Sequence, residues 1–482
     1  MQIDDDASDY SSLAPPKNKR WWNEQETDSL RRSRKKSSAE SVESTSIVRL
    51  SEHQEPKPST RRGHSLTFCL LFAYVTIGYL RPWELTPALG WLGSVPYWLA
   101  LTMLVVYAIT QLSLEGNFTA RPREINLILI LIILAIASIP QAISPLDAWK
   151  YFNGIFVKTV IVFIVLSNVV FTQFRLKSML FLALGTGCYL SATSLIKYFA
   201  SGPEDAFRAK GDLFNIFSDP NALALHLVMM VPIAVVLLIS TRSLLKRIVY
   251  VAGSLVMIAG IFATMSRGGF LAFVATLALV AIRLFKHSRA LILGLVLFAS
   301  IAGVLVAPGG YGRRLSSILD PSQDAMGSAD ARRELLIRSI GTALHRPLLG
   351  VGIGNFQTVS IHNQVSHNAY TQVAAEMGLP ALAVYLLFLV AAYKRLRRVQ
   401  TETMNLPGKS RQYYLAIGLQ ASLVGYMVGS FFLSVAFEWF VYFIVGYAIC
   451  LSRMCESKVL SAATKETGKQ PLSMSQFPAT ST

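Results

Sequence analysis

Charged residues are scarce in this sequence, and acidic ones are the scarcest. Only 15% of its 482 residues are Asp, Glu, Lys or Arg, whereas soluble domains have about 25%. Hydrophobic residues make up 52% of the chain, and its mean hydropathy is +0.45. This composition excludes an ordinary soluble domain and predicts an all-α protein that crosses a membrane many times.

Cysteine is also rare, with four in the whole chain. Cys69, Cys188 and Cys450 lie in apolar runs, and Cys455 lies just beyond one. No pair has the spacing of zinc ligands. The sequence therefore predicts buried, unreactive thiols.

Apolar runs long enough to cross a hydrocarbon core of about 30 Å recur along most of the chain. We count about twelve by this length criterion. They lie near 65–80, 91–112, 125–143, 154–171, 178–199, 221–240, 247–265, 269–285, 289–307, 379–393, 411–432 and 437–452. The first run begins too late for a signal peptide, so we expect it to be a retained span.

These runs divide the chain into five predicted segments. They are 1–63, a disordered basic cytoplasmic tail; 64–307, the first nine spans; 308–378, a large outer (periplasmic) loop; 379–452, the last three spans; and 453–482, a cytoplasmic tail. The first segment is rich in Ser, Lys, Arg, Glu and Pro, a composition that cannot bury a core.

The formal charge of +17 is distributed as membrane topology requires, so we expect no nucleic-acid partner. With the N-terminus inside, the cytoplasmic segments carry the basic tail and Arg121, Arg123, Arg175, Lys177, Arg242, Lys246, Arg247, Lys286, Arg289, Lys394, Arg395, Arg397, Arg398, Arg453 and Lys458. The short outer loops keep little beyond Arg81, Lys150, Arg208, Lys210 and Arg267. This positive-inside asymmetry predicts that both termini are cytoplasmic.

The large outer loop is unusual because it contains many arginines and few acids. They are Arg313, Arg314, Arg332, Arg333, Arg338 and Arg346. Such a cluster predicts an anionic partner, with contact to lipid headgroups as the alternative.

Residues Asp330 to Arg346 have the periodicity of an amphipathic helix. The predicted apolar stripe consists of Leu336, Ile340, Ala343 and Leu344, and the opposite face carries Glu334, Arg338 and His345. This helix would lie along the membrane surface or cap a cavity and hold Arg338 at a fixed depth. Pairing of Arg338 with Glu334, four residues earlier, is an equally good interpretation.

A run of alternating glycines follows at 347–356, PLLGVGIGNF. It resembles a dinucleotide fingerprint only superficially, because no βαβ unit surrounds it and the spacing of its third glycine is wrong. A tight backbone turn is the better prediction.

Four segments together carry a family resemblance. They are FSDPNALA at 217–224, MSRGG at 265–269, GVGIGNF at 350–356 and SHNAYTQVAAEMG at 366–378. In their order and their placement among the spans, the chain resembles the O-antigen ligase family over roughly residues 65–452. That resemblance implies a glycosyltransferase of the bacterial inner membrane that uses a polyprenyl-pyrophosphate-linked oligosaccharide as donor.

The resemblance also implies roles for particular residues. His367 corresponds to the family histidine that deprotonates or orients the acceptor hydroxyl. Arg267, Arg338 and Arg332 correspond to arginines that hold the donor pyrophosphate. The supporting positions are Asn368, Glu376, Asp219 and Asn221.

The chemistry of these residue types agrees with that assignment. A pyrophosphate is a good leaving group if fixed cations meet its developing charge, and arginine is always charged and forked for two oxygens. A neutral histidine near pH 7 can take the proton of an attacking hydroxyl. The acids of the outer loops are scattered (Asp212, Asp219, Asp320, Asp324 and Asp330). We therefore expect no metal and no other cofactor.

Each candidate also has a structural interpretation. The alternative for His367 is a loop histidine hydrogen-bonded to the backbone, and for Arg267 it is snorkelling to the interface, but we favour the catalytic and ligand-binding roles. For Glu376 we favour a local capping or pairing role over direct catalysis. Asp219, followed by Pro220, has the pattern of a helix N-cap.

Other histidines compete with His367. His226 is predicted to be a packed polar residue within a span, although ionisable groups inside membranes are functional candidates. His345 and His362 are weaker alternatives for the base.

Several functions remain open at this stage. The leading prediction is transfer of a glycan to a glycan, lipid or protein acceptor, so the chain would be a ligase, a polymerase or a protein oligosaccharyltransferase. A secondary transporter would also have many spans. It is disfavoured because we find no inverted repeat and few acids at the middle of the spans.

Overall fold

A computed structural model describes residues 64–85, 87–200, 208–210, 216–284, 328–404 and 411–467. The chain divides into Met1–Lys57 and Pro58–Thr482, and all described residues belong to the second unit. The predicted tail 1–63, the apolar run near 289–307, Arg313 and Arg314 lie outside the described residues.

The described part of the chain is helical and contains no strand. Its main helices are α1 (Ser65–Leu80), α2 (Val95–Glu115), α3 (Arg123–Ser138), α4 (Pro145–Tyr151), α5 (Val157–Val169), α6 (Gln173–Ala200), α7 (Pro220–Ser240), α8 (Leu244–Ala263), α9 (Arg267–Leu284), α10 (Ser328–His345), α11 (Ala369–Met404), α12 (Arg411–Gly429) and α13 (Trp439–Thr467). A π-helical turn, Phe152–Phe156, joins α4 to α5. The all-α prediction is thus confirmed.

Ten helices in the described residues are long and apolar enough to cross a membrane. They comprise the 20-residue segment Ser65–Glu84 that begins with α1, together with α2, the continuous α4–α5 segment, α6, α7, α8, α9, α11, α12 and α13. At 1.5 Å per residue, the 16-residue α3 is only about 24 Å long, which is less than a hydrocarbon core of about 30 Å. The described residues thus contain ten candidate spans, and the count of twelve stays a prediction.

Helix α7 lies at the centre of the bundle, where it packs against α8, α9 and α12. Glycines of α12 make this close approach possible: a Cβ at Gly418 would collide with Val236, and one at Gly429 would collide with Leu225. Small residues at helix interfaces are the usual means by which membrane helices pack closely. The start of α7 is thereby held at a fixed level in the bundle.

Helix α11 begins ten residues earlier than the apolar run at 379–393 indicated. It starts at Ala369 and is interrupted at Gly378, whose φ is 86°. A Cβ at Gly378 would collide with the carbonyl of Leu348, so only glycine fits this break. Pro380 follows within the helix. Residues 369–377 are thus a separate helical piece, packed on the outer segment before the span continues.

Helix α10 buries a different stripe from the predicted one. Leu335, Ser339 and Ala343 are the buried positions. Ile340 and Leu344 of the predicted apolar stripe are exposed on the protein, so the placement of this helix on a membrane surface stays a prediction. Apolar residues surround much of this helix, and the face that turns inward is the one that meets Phe356 and Ala375.

A buried ion pair joins α3 to α11. The Arg395 guanidinium donates to both Glu124 oxygens at 2.7 Å, and the Glu124 side chain is 2% exposed. Arg395 also donates to Ser452 of α13 at 3.3 Å. A bidentate, well-bonded pair of this kind fixes the geometry of three helices.

We predict that Glu124→Gln lowers the free energy of unfolding by about 3–5 kcal/mol, because Arg395 then keeps a poorly compensated charge. Denaturant titration in detergent measures the loss. The double variant Glu124→Leu/Arg395→Met should lie closer to wild type. Lys150→Gln, which removes an exposed pair with Asp147, is the control. Wild-type stability of Glu124→Gln would show that the pair does not hold α3.

Candidate active site

His367 lies in a turn that is fixed on both sides by capping side chains. The Asn368 amide oxygen accepts from the backbone N–H groups of Tyr370 (2.9 Å) and Thr371 (3.1 Å), so Asn368 caps α11. The Ser366 hydroxyl donates to the Asn368 carbonyl at 2.9 Å and lies 3.0 Å from the Ser434 hydroxyl. Between them, His367 has a φ of 51°, a left-handed conformation that is rare outside glycine.

The surroundings of His367 favour a neutral imidazole. Burial lowers its pKa below the usual 6.5, the positive charge of Arg332 lowers it further, and the negative charge of Asp219 partly opposes both. Within the described residues no group forms a hydrogen bond to its ring. Backbone hydrogen bonding therefore does not account for this residue, and its ring is able to accept a proton.

Asp219 begins α7 as the sequence indicated. Its carboxylate accepts from the Asn221 backbone N–H at 3.0 Å, with Pro220 at the first helical position, which confirms the predicted N-cap. The Asn221 side chain then connects three segments. Its amide oxygen accepts from Arg208 at 2.8 Å and from the Ser266 hydroxyl at 2.9 Å.

The MSRGG segment forms the start of α9 beside these residues. The Ser266 hydroxyl accepts from the Gly269 backbone N–H at 3.1 Å and so caps the helix. A Cβ at Gly268 would collide with Phe432, and one at Gly269 with Ala224. The two glycines are therefore needed for packing, and they hold half-buried Arg267 at the first residue of α9.

Arg208 belongs to this network, although the sequence analysis did not select it as a site residue. Its Nε donates to the Thr264 carbonyl at 2.9 Å, in addition to its bond with Asn221. Its place among the few cations of the predicted outer loops was a signal, but nothing in the sequence showed that it would meet Asn221.

The two predicted loop arginines occupy different positions. Arg332, half-buried on α10, is the arginine whose charge acts on the pKa of His367. Arg338 is exposed and donates to the Val359 carbonyl at 3.0 Å. No ion pair with Glu334 is present in the described residues. The helix therefore brings Arg332 to His367 and ties Arg338 to the following loop.

The glycine run at 350–354 is a tight turn, as predicted. Gly350, Gly352 and Gly354 all have positive φ values, which only glycine adopts readily. Buried Glu376 holds this turn: its carboxylate accepts from the Gly354 N–H at 2.9 Å, and its backbone carbonyl accepts from the Gly352 N–H at 2.9 Å. This arrangement supports the structural role that we favoured for Glu376.

The turn is also anchored to the connection between α3 and α4. The Asn355 amide oxygen accepts from the Ser144 N–H at 2.7 Å, and the Val351 carbonyl accepts from the Ile143 N–H at 3.1 Å. Glu376 therefore links the start of α11, through the glycine turn, to a distant part of the bundle.

Among the other candidate histidines, His226 is enclosed and His345 lies at the far end of α10 from Arg332. His226 is 1% exposed and packs against the rings of Tyr79, Phe217 and Trp439, which confirms the predicted packed polar residue. His345 is exposed at the end of α10. The His362 side chain lies outside the described residues.

The described residues contain no group of three or more His, Cys, Asp or Glu side chains that could hold a metal ion. Metal independence stays a prediction. The charged groups that do surround His367 are Arg332 and Asp219.

Fold and site together define a multi-pass helical membrane protein with a polar, arginine-containing site around the starts of three helices. Residues 252–386 match the model of a family described as O-antigen ligase, and this range includes α9, α10, the glycine turn and His367. This match agrees with the family resemblance that the motifs of the chain carry. No curated protein shows a significant match to the chain. The match supports glycosyl transfer of the O-antigen ligase or polymerase type by a membrane protein.

We predict that Glu376→Leu loosens the glycine turn. Loss of a buried acceptor leaves the Gly354 N–H unsatisfied, at a cost of about 1–3 kcal/mol, so amide exchange in residues 350–356 should rise about tenfold or more. Glu376→Gln retains an acceptor and should stay near wild type. Hydrogen exchange read by mass spectrometry gives the comparison, with exposed Glu334→Leu as control. Equal exchange in Glu376→Leu and wild type would contradict this role.

Proposed function

We propose that the protein transfers a glycan from a polyprenyl-pyrophosphate donor to an acceptor hydroxyl at the outer face of a bacterial inner membrane. The observation that carries this proposal is the placement of His367, held in a strained turn with Arg332 and Asp219 close enough to act on its pKa. A base and fixed cations in one place are what such a transfer requires.

In the proposed reaction, the acceptor oxygen attacks the anomeric carbon of the donor sugar while His367 takes the hydroxyl proton. The bond from that carbon to the pyrophosphate oxygen breaks, and the polyprenyl pyrophosphate leaves with the electron pair. The neutral imidazole is the competent form, which agrees with its lowered pKa. The proton taken up by His367 is then released to water.

The arginines have separate proposed tasks. Arg332 is the arginine whose positive charge lowers the pKa of His367. It would stabilise the negative charge that develops on the leaving pyrophosphate. Arg267, at the first residue of α9, would bind the same group. Arg338 donates one N–H to the Val359 carbonyl. Its remaining guanidinium N–H groups would bind the donor pyrophosphate.

Four further residues are proposed to act through position. Asn368 sets the turn that presents His367, and Glu376 holds the adjoining glycine turn. Asn221 fixes the start of α9 and hence Arg267. Asp219 caps α7 and also raises the basicity of His367.

We predict that His367→Ala lowers the rate of glycosidic bond formation by about 10²–10⁴-fold, the usual contribution of general base catalysis. The assay uses the full chain in detergent with a lipid-linked donor and an acceptor, with and without a chelator. His345→Ala is the matched control and should retain activity. An unchanged rate in His367→Ala would remove the catalytic assignment. Absence of glycosidic bond formation in detergent, where no ion gradient exists, would favour a transporter.

The same variant identifies the acceptor when it is expressed in the native host at normal membrane levels. Accumulated full-length glycan on the lipid carrier would indicate a ligase, because polymerisation precedes the missing step. Accumulated single repeats would indicate a polymerase. Loss of glycan from a protein alone would indicate protein glycosylation.

The acid limb of the pH profile of kcat/KM should report His367. Because the pKa of His367 is lowered in the folded protein, the neutral base persists below pH 6.5. We therefore expect the midpoint of the acid limb below pH 6.5. Asp219→Asn removes the opposing negative charge and should move the limb lower, while asparagine still caps α7. Arg332→Gln should move it higher. Movement of both variants in the same direction would show that the limb belongs to another group.

A further inference from the structure

A cavity lined in part by Glu438 and Trp439 lies close to the candidate site. Its volume is about 410 Å³, within the range of about 300–1,000 Å³ that is usual for ligand pockets. The walls come from α1, α2, α5, α13 and the turn between α4 and α5. Most of the lining is apolar or aromatic, and it includes Tyr74, Trp83, Phe217, Trp439 and Phe443.

Two cations line this otherwise apolar space. Lys158 projects from α5, within a segment long and apolar enough to cross the membrane. No described residue forms a hydrogen bond or an ion pair with its ammonium group. An ionisable residue within a span is costly unless it has a partner or a function. Arg81 lies at the end of α1 and pairs with Glu84 at 2.6 Å.

Glu438 is the only acid among the described residues of the lining; because Glu84 already pairs with Arg81, the charge that Glu438 could cancel is that of Lys158. Burial raises the pKa of its carboxyl to about 7, so it is half-protonated near neutral pH. The cavity therefore keeps a net positive charge at that pH. Its chemistry combines cations with aromatic walls, which matches an anionic headgroup with a hydrocarbon chain.

Two glycines keep the cavity open. Gly78 of α1 and Gly154 of the π-helical turn both line it, and a Cβ added at either would meet nothing within 4 Å. Glycine in a helix interior is destabilising by roughly 0.5–1 kcal/mol relative to alanine. Neither glycine is required by packing, which contrasts with Gly268 and Gly269 of the candidate site.

We propose that this cavity binds a membrane lipid through its phosphate headgroup, with Lys158 and Arg81 on the phosphate and the aromatic walls around the adjoining hydrocarbon. This site is separate from the arginines assigned to the donor pyrophosphate and does not depend on glycosyl transfer. It is nevertheless close to them: Ser434 contacts Ser366 beside His367, and Glu438, four residues later, lines the cavity.

The test is native mass spectrometry of the full chain in detergent, titrated separately with polyprenyl monophosphate, phosphatidylglycerol and uncharged polyprenol. Wild type should bind the two phosphate lipids, or one of them, more tightly than polyprenol. Lys158→Gln should weaken that binding about fivefold, as expected for one lysine at a lipid phosphate. Gly78→Leu and Gly154→Leu should abolish it by filling the space.

Two controls match these variants. Gly185→Leu places the same side chain at a helix position that also has open space but does not line the cavity. Lys150→Gln removes an exposed lysine outside the cavity. Both variants should bind lipid as wild type does. Lipid binding is compared only among variants whose thermal stability equals that of wild type.

The outcomes separate cleanly. Preference for polyprenyl monophosphate supports the site and makes the carrier lipid its source, and preference for phosphatidylglycerol supports it with the bilayer as source. Binding of polyprenol as tight as that of the phosphate lipids would overturn the proposal, and so would wild-type binding by Lys158→Gln. If Gly154→Leu does not fold, Lys158→Gln still decides.

Discussion

The hydrogen bonds of one side chain, Asn221, hold the candidate site together. Its amide oxygen accepts from Arg208 and Ser266, and its backbone N–H is bound by the Asp219 carboxylate. Asn221 lies in the first turn of the most central helix, so whatever it contacts is fixed relative to the whole bundle. The start of α9, and Arg267 with it, takes its position from this contact.

The other half of the site depends on a comparable arrangement around α11. The interruption at Gly378 separates the first part of the helix from the membrane span, and Glu376 binds that first part to the glycine turn. Directly after the glycine turn, the Asn355 amide oxygen accepts a hydrogen bond from the Ser144 backbone N–H. His367 is thus supported by rigid neighbours on each side, which is what preorganisation of a catalytic group requires.

Much of this architecture could be predicted from the sequence, because its signals are local. Apolar length identified the spans, Asp219-Pro220 identified a helix start, and alternating glycines identified a tight turn. The features that could not be predicted are nonlocal. The inward face of α10 is chosen by Phe356 and Ala375 rather than by its own apolar periodicity. Arg208 meets Asn221 only because the tertiary fold brings distant segments together.

The left-handed backbone of His367 has an evolutionary consequence. A non-glycine residue in this region carries a conformational penalty of about 1–2 kcal/mol, which glycine or asparagine at the same position would largely avoid. Variation that favours thermal robustness alone would therefore tend to replace this histidine. The catalytic role proposed for His367 would place the protein on the functional side of a trade-off between stability and activity.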